Sequence, residues 1–216
     1  MQTRFNNKFF YSDDDKIDIM YMSKFLSDDE ANRYFKLFEK ELVYDSAEDS
    51  SVTIFGKKHK IPRKQVAYGD PGSFYTFSGV TVKAKDWFSN SSPVCLAIKQ
   101  IKNRVELITK QKFNFVLINR YADGNDCIGF HSDDEVELGN NPTIVGVSLG
   151  AEREIHFKPK NFVPKELPDP LKVTLKAGSI FIMTDPTNKY WKHSIPKRAQ
   201  IKKCRISLTF RNMVLS

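Results

Sequence analysis

The sequence predicts a mainly β domain of the α+β class: a double-stranded β-helix, or jelly roll, with N-terminal buttressing helices. Two apolar stripes at helical spacing lie before residue 110, and short β-rich segments broken by Gly, Pro and Asn follow it. Hydrophobic residues make up 40% of the 216 residues, enough to bury a core. We find no repeat and no Gly/Ser linker, so we expect a flexible tail over 1–17, one domain over 18–216 and a jelly-roll core over 113–214.

The first predicted helix starts at Ser27. Ser27 and Glu30 form an S-x-x-E capping box, in which the hydroxyl accepts a first-turn amide and the carboxylate reaches back. An apolar stripe follows, made of Ala31, Tyr34, Phe35, Phe38 and Leu42. A second helix is predicted after Pro93, with an apolar face made of Val94, Ile98, Ile101, Val105 and Ile108.

The predicted strands of the core are short and rich in β-branched and aromatic residues. They cover 113–121, 143–149, 154–158, 172–183 with a turn at Ala177-Gly178, and 205–214. Segments 52–55 and 74–82 are predicted to form an outer hairpin pair. Several strands at this spacing are typical of a sandwich or jelly roll.

Positive charge exceeds negative charge, with 34 Lys and Arg against 26 Asp and Glu, which gives a formal charge of +8. The excess gathers in KKHKIPRK (57–64), at Lys158 and Lys160, and in the basic pairs at 197–198 and 202–203. Clustered positive charge favours a polyanionic partner such as nucleic acid, although a basic chain can also be merely soluble.

The cysteines and the N-terminus indicate a reducing intracellular compartment. Cys95, Cys127 and Cys204 lie far apart and show none of the paired spacings of a disulfide or zinc framework. No secretory signal is visible in the start MQTRFNNKFF, and no apolar run approaches the ~20 residues of a membrane helix. No membrane partner is therefore expected.

A candidate metal site begins with the motif H-x-D at His131 and Asp133. In an extended segment residues i and i+2 point the same way, so both side chains can hold one ion. His193 is the third candidate ligand. Two His and one carboxylate on one face of an octahedron are the arrangement of non-haem Fe(II) oxygenases. By itself H-x-D is a weak signal, because a solvated loop His beside an Asp is the more common case.

A candidate anion pocket accompanies these ligands. The run RISLTFR alternates a polar face of Arg205, Ser207, Thr209 and Arg211 with an apolar face of Ile206, Leu208 and Phe210. If the apolar face is outside the barrel, the buried arginines need an anionic ligand or an internal carboxylate. The alternative is an edge strand whose arginines lie in water. Asn119 and Tyr121 repeat the i, i+2 geometry and suit a second carboxylate or a keto-acid oxygen.

The sequence resembles the AlkB family of Fe(II) and 2-oxoglutarate dependent dioxygenases. The runs that carry the resemblance are NFVLINRYADGNDCIGFHSDDE, PTNKYWKHSIP and RISLTFR. Two others, IFGKKHKIPRKQVAYGD and FYTFSG, narrow it to the branch that repairs duplex DNA, AlkB homologue two. The resemblance covers about residues 52–214 and contains several ordered motifs.

The resemblance implies roles for matching residues. The iron ligands are matched by His131, Asp133 and His193, and the 2-oxoglutarate pocket by Asn119, Tyr121, Arg205, Thr209 and Arg211. The substrate site is matched by Phe55, Gly56, Lys57, Arg63, Tyr75, Thr76, Phe77, Asp134 and Arg198. In that set Phe55 enters the duplex, Tyr75 and Phe77 form the aromatic wall of the base pocket, and Asp134 contacts the flipped base. Residues of about 50–85 would form the nucleotide-recognition hairpins, although 52–55 could equally be a core strand.

The activity that the resemblance implies is oxidative demethylation of alkylated DNA, preferentially duplex, by a monomeric protein of the nucleus. A flipped 1-methyladenine or 3-methylcytosine would be oxidised at its N-methyl group, which leaves as formaldehyde. Fe(II) is the implied cofactor, and 2-oxoglutarate is consumed with O2 to give succinate and CO2. Ascorbate would serve as the reductant in vitro.

The chain departs from that branch at three places. Arg198-Ala199-Gln200 stands where the branch has Arg-Lys-Lys, Ser132 where it has arginine, and Phe130 where it has an acid. The broken basic triplet favours a second hypothesis, a demethylase of single-stranded DNA or RNA, whereas the wedge Phe55 favours duplex. A non-catalytic nucleic-acid-binding module would lack a metal ligand or a co-substrate arginine, and none is missing. A zinc hydrolase has no need of the two arginines.

The N-terminal tail contains a further pattern. Gln2, Phe5 and Phe9-Phe10 approach a sliding-clamp peptide, Q-x-x-hydrophobic-x-x-aromatic-aromatic, with the aromatic pair one residue late. The alternative is a tail whose aromatic residues pack on the domain.

Overall fold

The structure is a computed structural model that describes residues 8–10, 16–46, 51–54, 57–77, 80–88, 91–160 and 171–214. It contains the helices α1 (Asp28–Glu41), α2 (Pro93–Thr109) and α3 (Thr187–Tyr190). The first eight strands in these ranges are β1 (Lys8–Phe10), β2 (Asp18–Met22), β3 (Ser51–Ile54), β4 (Lys57–Lys60), β5 (Lys64–Gly69), β6 (Phe74–Phe77), β7 (Val80–Lys83) and β8 (Lys85–Asp86). The others are β9 (Phe115–Tyr121), β10 (Ile128–His131), β11 (Ile144–Gly150), β12 (Arg153–Pro159), β13 (Leu171–Leu175), β14 (Ile180–Met183), β15 (Trp191–Ile195) and β16 (Arg205–Arg211).

Both long helices begin where the sequence predicts. Ser27 Oγ accepts the Glu30 amide N–H at 3.2 Å, and the Glu30 carboxylate accepts the Ser27 amide at 2.9 Å, which completes the capping box of α1. At α2, Pro93 occupies the first turn and Ser92 Oγ accepts the Cys95 amide. Neither these nor the other described helices could span a membrane, being too short or too polar.

Two sheets form the predicted jelly roll. The larger sheet has the order β1-β2-β14-β11-β16-β9-β5-β8, and the smaller has the order β10-β15-β12-β13. Strands that are distant in sequence are neighbours in both sheets, as a jelly roll requires. The pairs β3-β4 and β6-β7 are separate two-stranded hairpins within the region where the sequence predicts outer hairpins.

Strand β16 lies in the middle of the larger sheet, between β11 and β9. Its apolar side chains pack in the core beneath α1 and α2, together with Phe38 and Ile98, which are fully buried. Arg205 and Arg211 are only 2% and 4% exposed and point to the space between the sheets. The edge-strand alternative is therefore wrong, because both neighbours of β16 are hydrogen bonded to it.

Several strands lie outside the predicted segments. The clearest are β2, β5, β10 and β15, which have four to six residues each. Both β10 (IGFH) and β15 (WKHSI) are short and mix His and other non-apolar residues with apolar ones. Their local alternation is therefore weak, and pairing with distant strands stabilises them as strands. Within the segment predicted as a tail, Lys8–Phe10 form β1 at the edge of the larger sheet.

Candidate active site

A cavity of about 850 Å³ opens between the two sheets. Inner side chains of β9, β11 and β16 form one wall, and β10, β15 and the segment after β10 form the other. All three candidate metal ligands and all five candidate 2-oxoglutarate residues line it. The fold thus brings the candidate metal ligands and the candidate 2-oxoglutarate residues, which lie in separate sequence segments, into one cavity.

The candidate metal ligands form one cluster, with ligand atoms within 4.8 Å of one another. His131 and His193 face each other across the β10-β15 pair, with ring centroids 4.2 Å apart. His193 Nε2 lies 3.6 Å from Asp133 Oδ2. The contact between His131 Nδ1 and the Gly129 carbonyl oxygen, 2.9 Å long, suits the tautomer that leaves Nε2 to a metal. Two imidazoles and a carboxylate are the donor set of Fe(II), so the residues present fit that ion.

The protonation states of these ligands also suit a metal. Burial and the neighbouring His131 lower the pKa of His193 to about 3, so its imidazole is neutral and can coordinate. Burial opposes ionisation of Asp133, but the Arg211 guanidinium and the two imidazoles outweigh it and hold the pKa of that carboxyl below its ordinary value. Arg211 Nη2 donates to Asp133 Oδ1 at 2.8 Å.

Two further residues, Asn188 and Tyr75, position Asp133. Asn188 Oδ1 accepts the Asp133 amide N–H at 2.9 Å, and Asn188 Nδ2 donates to the Asp133 carbonyl oxygen. The hydroxyl of Tyr75 lies 3.5 Å from Asp133 Oδ1, and Arg211 lies over the Tyr75 ring. The backbone and the carboxylate of this ligand are therefore both held by buried neighbours.

Arg205 is a buried cation for which the described residues provide no carboxylate. Its Nη2 atom donates to Ser148 Oγ at 2.9 Å and to Ser207 Oγ at 3.2 Å, and its guanidinium lies over the Tyr121 ring. Nε and Nη1 have no hydrogen-bond partner among the described residues. Burial lowers the pKa of Arg205 to about 10, so the guanidinium remains charged at neutral pH. An unpaired buried charge is costly, and a carboxylate of 2-oxoglutarate fits it.

The other candidate co-substrate residues lie around this arginine. Tyr121 and Asn119 lie opposite Arg205 and Ser207 in the β9-β16 register. Arg63 Nε donates to Asn119 Oδ1 at 2.9 Å, so the Asn119 amide keeps its N–H groups for another acceptor. Arg63, which the resemblance assigns to the substrate, therefore also contacts the co-substrate side of the cavity.

The candidate substrate residues have different positions. Arg63, Tyr75, Thr76 and Asp134 line the cavity. Arg198 instead donates to Glu154 Oε2 at 2.6 Å, beside His156. Lys57 and Phe77 lie in β4 and β6, but their side chains are outside the described part of the structure, as are Phe55 and Gly56 altogether.

Two acids follow Asp133, and they differ in environment. The side chain of Asp134 is 67% exposed and its Oδ2 atom lies 3.0 Å from Lys160 Nζ. Glu135 has a buried Oε2 atom with no hydrogen-bond partner among the described residues, and burial raises the pKa of its carboxyl. Glu135 is not among the residues predicted from the sequence, although its i+2 spacing from Asp133 would place its side chain on the same side of an extended segment.

Comparisons with known proteins identify the family of the chain. A model of the 2OG-Fe(II) oxygenase superfamily matches residues 18–211. DNA oxidative demethylase ALKBH2 of Bos taurus is 43% identical over 86% of this chain and 65% of its own length, and that of Homo sapiens is 43% identical over 87% and 70%. Alpha-ketoglutarate-dependent dioxygenase alkB homolog 3 of Homo sapiens is 34% identical over 70% of this chain and 52% of its own length. The solved structure of OsALKBH1 shares the fold, with a TM-score of 0.55 and 18% identity over 90% of this chain and 97% of that one.

The fold and site define an iron- and 2-oxoglutarate-dependent oxygenase. The chain belongs to the 2OG-Fe(II) oxygenase superfamily. The predicted cofactor Fe(II) and co-substrates 2-oxoglutarate and O2 follow from membership, and the resemblance to AlkB homologue two is confirmed. The chain spans 65% of the length of the Bos taurus relative and 70% of that of the Homo sapiens one.

Proposed function

We propose that this chain is a DNA repair enzyme that oxidatively demethylates 1-methyladenine and 3-methylcytosine after flipping the base out of DNA. The observation that carries the proposal is the buried Arg205, which has no carboxylate partner in the described part of the chain and shares one cavity with the His131, Asp133 and His193 cluster. Relatives at 43% identity are DNA oxidative demethylases, which supports this substrate class. Formaldehyde, succinate and CO2 are the products.

In this proposal His131, Asp133 and His193 hold Fe(II), which with 2-oxoglutarate and O2 supplies the oxidation of the methyl group. Arg211 keeps Asp133 ionised, and Asn188 holds its backbone in place. The buried walls exclude water from the reacting methyl group.

Arg205 binds one carboxylate of 2-oxoglutarate through the N–H groups that no described residue accepts, within the wall formed by Ser148, Ser207 and Tyr121. Asn119 and Thr209 complete that side of the cavity. The co-substrate thus lies on the β16 side, and the base enters from the opposite side.

The base lies between the metal cluster and Tyr75, Thr76 and the two acids after Asp133. The rings of 1-methyladenine and 3-methylcytosine are cationic, so the Asp134 and Glu135 carboxyl groups attract them more than the neutral repaired base. Loss of the methyl group removes that charge. The same acids therefore favour substrate binding and product release.

Duplex DNA is the first candidate substrate because Phe55 and Gly56, between β3 and β4 in the chain, match the wedge segment of the duplex-repair branch. A single-stranded DNA or RNA substrate is the second candidate, and two observations favour it. Arg198 is paired with Glu154. Phe130 at the cavity mouth is 39% exposed, and Lys158 lies 4.3 Å from its ring centroid. An exposed ring beside a cation suits stacking with an unpaired base.

The remaining parts of the proposal concern partners and location. We assign the enzyme to the nucleus and to a monomeric state by its resemblance to the duplex-repair branch of the AlkB family. The backbone pairing of Lys8–Phe10 with β2 supports the alternative in which the tail packs on the domain. A sliding-clamp pull-down decides between the two: loss of capture on deletion of residues 1–12 supports clamp binding, and unchanged capture excludes this segment as the clamp motif.

The test is turnover with Fe(II), 2-oxoglutarate and ascorbate, started by O2, on matched duplex and single-stranded oligonucleotides that carry 1-methyladenine. Repair by the wild type that is lost in His131→Ala supports the iron chemistry. Selective loss of duplex repair in Phe55→Ala supports the wedge. Faster repair of the single strand by the wild type, with duplex repair unchanged in Phe55→Ala, favours the single-strand alternative. Absence of repair in protein that binds iron and 2-oxoglutarate would contradict the proposed substrate.

A further inference from the structure

Gly146 occupies an unusual position, in the middle of β11 and on the wall of the cavity. Glycine inside a strand weakens it, and often marks a site where a ligand approaches closely. The backbone does not require glycine here, because the φ angle of Gly146 is outside the left-handed region. Gly150 on the same strand is a contrast, with a φ of 80° and a Cβ position only 2.5 Å from the Cys204 carbonyl oxygen.

The space beside Gly146 is open. A Cβ built there would meet a single described atom within 4 Å, the Phe181 carbonyl oxygen at 4.0 Å. The nearby cavity-lining side chains of Ile144, Phe181 and Met183 are apolar. A ligand group that entered this space would therefore contact hydrocarbon surface.

The register of the sheet places this space beside the co-substrate. Gly146 lies directly opposite Thr209, which points into the cavity between Arg205 and Arg211 on β16. A diacid that pairs with Arg205 and reaches the metal cluster beside Arg211 must pass Thr209. Neighbouring strands are about 4.8 Å apart, so the carbon chain of that diacid also passes Gly146.

We propose that the wall at Gly146 is a side pocket for a small apolar substituent on the carbon chain of a 2-oxo diacid. The site would then bind chain-substituted 2-oxo diacids, and N-oxalyl amino acids that mimic them, as well as 2-oxoglutarate. This inference rests on the proposed placement of the co-substrate at Arg205. According to this inference, the absence of a side chain at Gly146 determines which co-substrates fit the cavity.

The test measures binding without turnover, by calorimetry on protein loaded with Mn(II) in place of iron. The probes are N-oxalylglycine and both enantiomers of N-oxalylalanine. We expect the wild type to bind at least one N-oxalylalanine nearly as well as N-oxalylglycine. In Gly146→Val we expect the affinity for N-oxalylalanine, relative to that for N-oxalylglycine, to fall by about tenfold or more, as when an apolar pocket excludes one methyl group. Gly146→Ala should have an intermediate affinity ratio.

The controls separate failure of the pocket from failure of the site. Thr174→Val changes an exposed strand position and should leave both affinities unchanged, and thermal unfolding of each variant confirms folding. Rejection of both N-oxalylalanines by the wild type, or no change of preference in folded Gly146→Ala and Gly146→Val, would overturn the pocket. Equal binding of N-oxalylglycine to wild type and Arg205→Met would instead show that the co-substrate placement is wrong.

Discussion

Asn188 holds the backbone of Asp133 on both sides: its Oδ1 accepts the Asp133 amide at 2.9 Å, and its Nδ2 donates to the Asp133 carbonyl oxygen. Both residues are buried, at 3% and 1% exposure. Asn188 precedes His193 on the neighbouring segment, so this pair ties together the two chain segments that supply the metal ligands. The geometry of the site thus depends on a residue that touches no metal.

Asn188→Ala should weaken metal binding. Loss of both hydrogen bonds frees the backbone of Asp133, and loss of such outer contacts costs about 10–100-fold in metal affinity. Titration with Mn(II), monitored by electron paramagnetic resonance, measures this metal affinity. Asn188→Asp retains the acceptor and lacks the donor, so its Mn(II) affinity should lie between those of the wild type and Asn188→Ala. A wild-type Mn(II) affinity in Asn188→Ala would show that these hydrogen bonds are unimportant for the metal site.

Arg205→Met should abolish 2-oxoglutarate binding yet stabilise the protein without co-substrate. The wild-type arginine is buried, and two of its nitrogens have no hydrogen-bond partner within the described ranges. A hydrophobic replacement of a buried charge is often stabilising by on the order of 1 kcal/mol. Urea unfolding of the metal-free proteins measures the free energy, and calorimetry measures 2-oxoglutarate binding. A less stable Arg205→Met would mean that its bonds to Ser148 and Ser207 outweigh the cost of burial.

Glu135→Gln should reduce discrimination between 1-methyladenine and adenine more than Asp134→Asn does. Glu135 has a buried carboxyl oxygen in the cavity, whereas Asp134 is exposed and paired with Lys160. Coulomb attraction of a cationic base is stronger in the buried position, where an effective dielectric of ~20 replaces that of water. Competitive binding of methylated and unmethylated oligonucleotides gives the ratio, and a larger effect in Asp134→Asn would reverse this assignment.

Phe130→Ala should weaken binding of single-stranded DNA. Stacking on an aromatic side chain contributes ~1–3 kcal/mol per base, so we expect about a tenfold loss in fluorescence anisotropy titrations. Phe88→Ala is the matched control, because Phe88 is 62% exposed, lies near Lys99 and is absent from the cavity wall. Equal losses in the two variants would remove the argument for stacking at Phe130.

Acid should destabilise the fold partly through Glu39, which links α1 to β9. Its hydrogen bonds to Arg120, at 2.6 and 2.9 Å, lower the pKa of Glu39 below its ordinary value of 4.5. A carboxyl whose pKa is lower in the folded state stabilises it above the unfolded pKa, and that contribution disappears as the pH falls through the folded value. Loss of this contribution should lower the free energy of unfolding by on the order of 1 kcal/mol.

Urea unfolding between about pH 6 and pH 3 tests this prediction, because that range begins above the ordinary glutamate pKa of 4.5 and extends below it. Glu39→Gln should be less stable than the wild type at pH 6 and should lose less stability on acidification. Glu41→Gln is the control, since Glu41 pairs with a lysine that is 81% exposed and its bond should contribute little. Parallel pH profiles for Glu39→Gln and the wild type would contradict the assignment.

The sequence by itself determined the features that repeat along the backbone. The capping box at Ser27 gives the start of α1, since a cap is formed by residues three positions apart. The alternation in 205–211 gives the two faces of β16, since successive strand side chains point to opposite sides. The H-x-D spacing of His131 and Asp133 follows the same rule, and the resemblance rests on motifs of this local kind.

Only the tertiary structure decided which of these residues meet. Pairing of β10 with β15 brings His193 to His131. Packing of the sheets gives Arg211 a carboxylate at Asp133, whereas Arg205 has none among the described residues. The two arginines are indistinguishable in the alternating pattern. Their difference arises because strand register and sheet packing set distances between segments remote in sequence, and charge interactions in a low-dielectric interior depend on those distances.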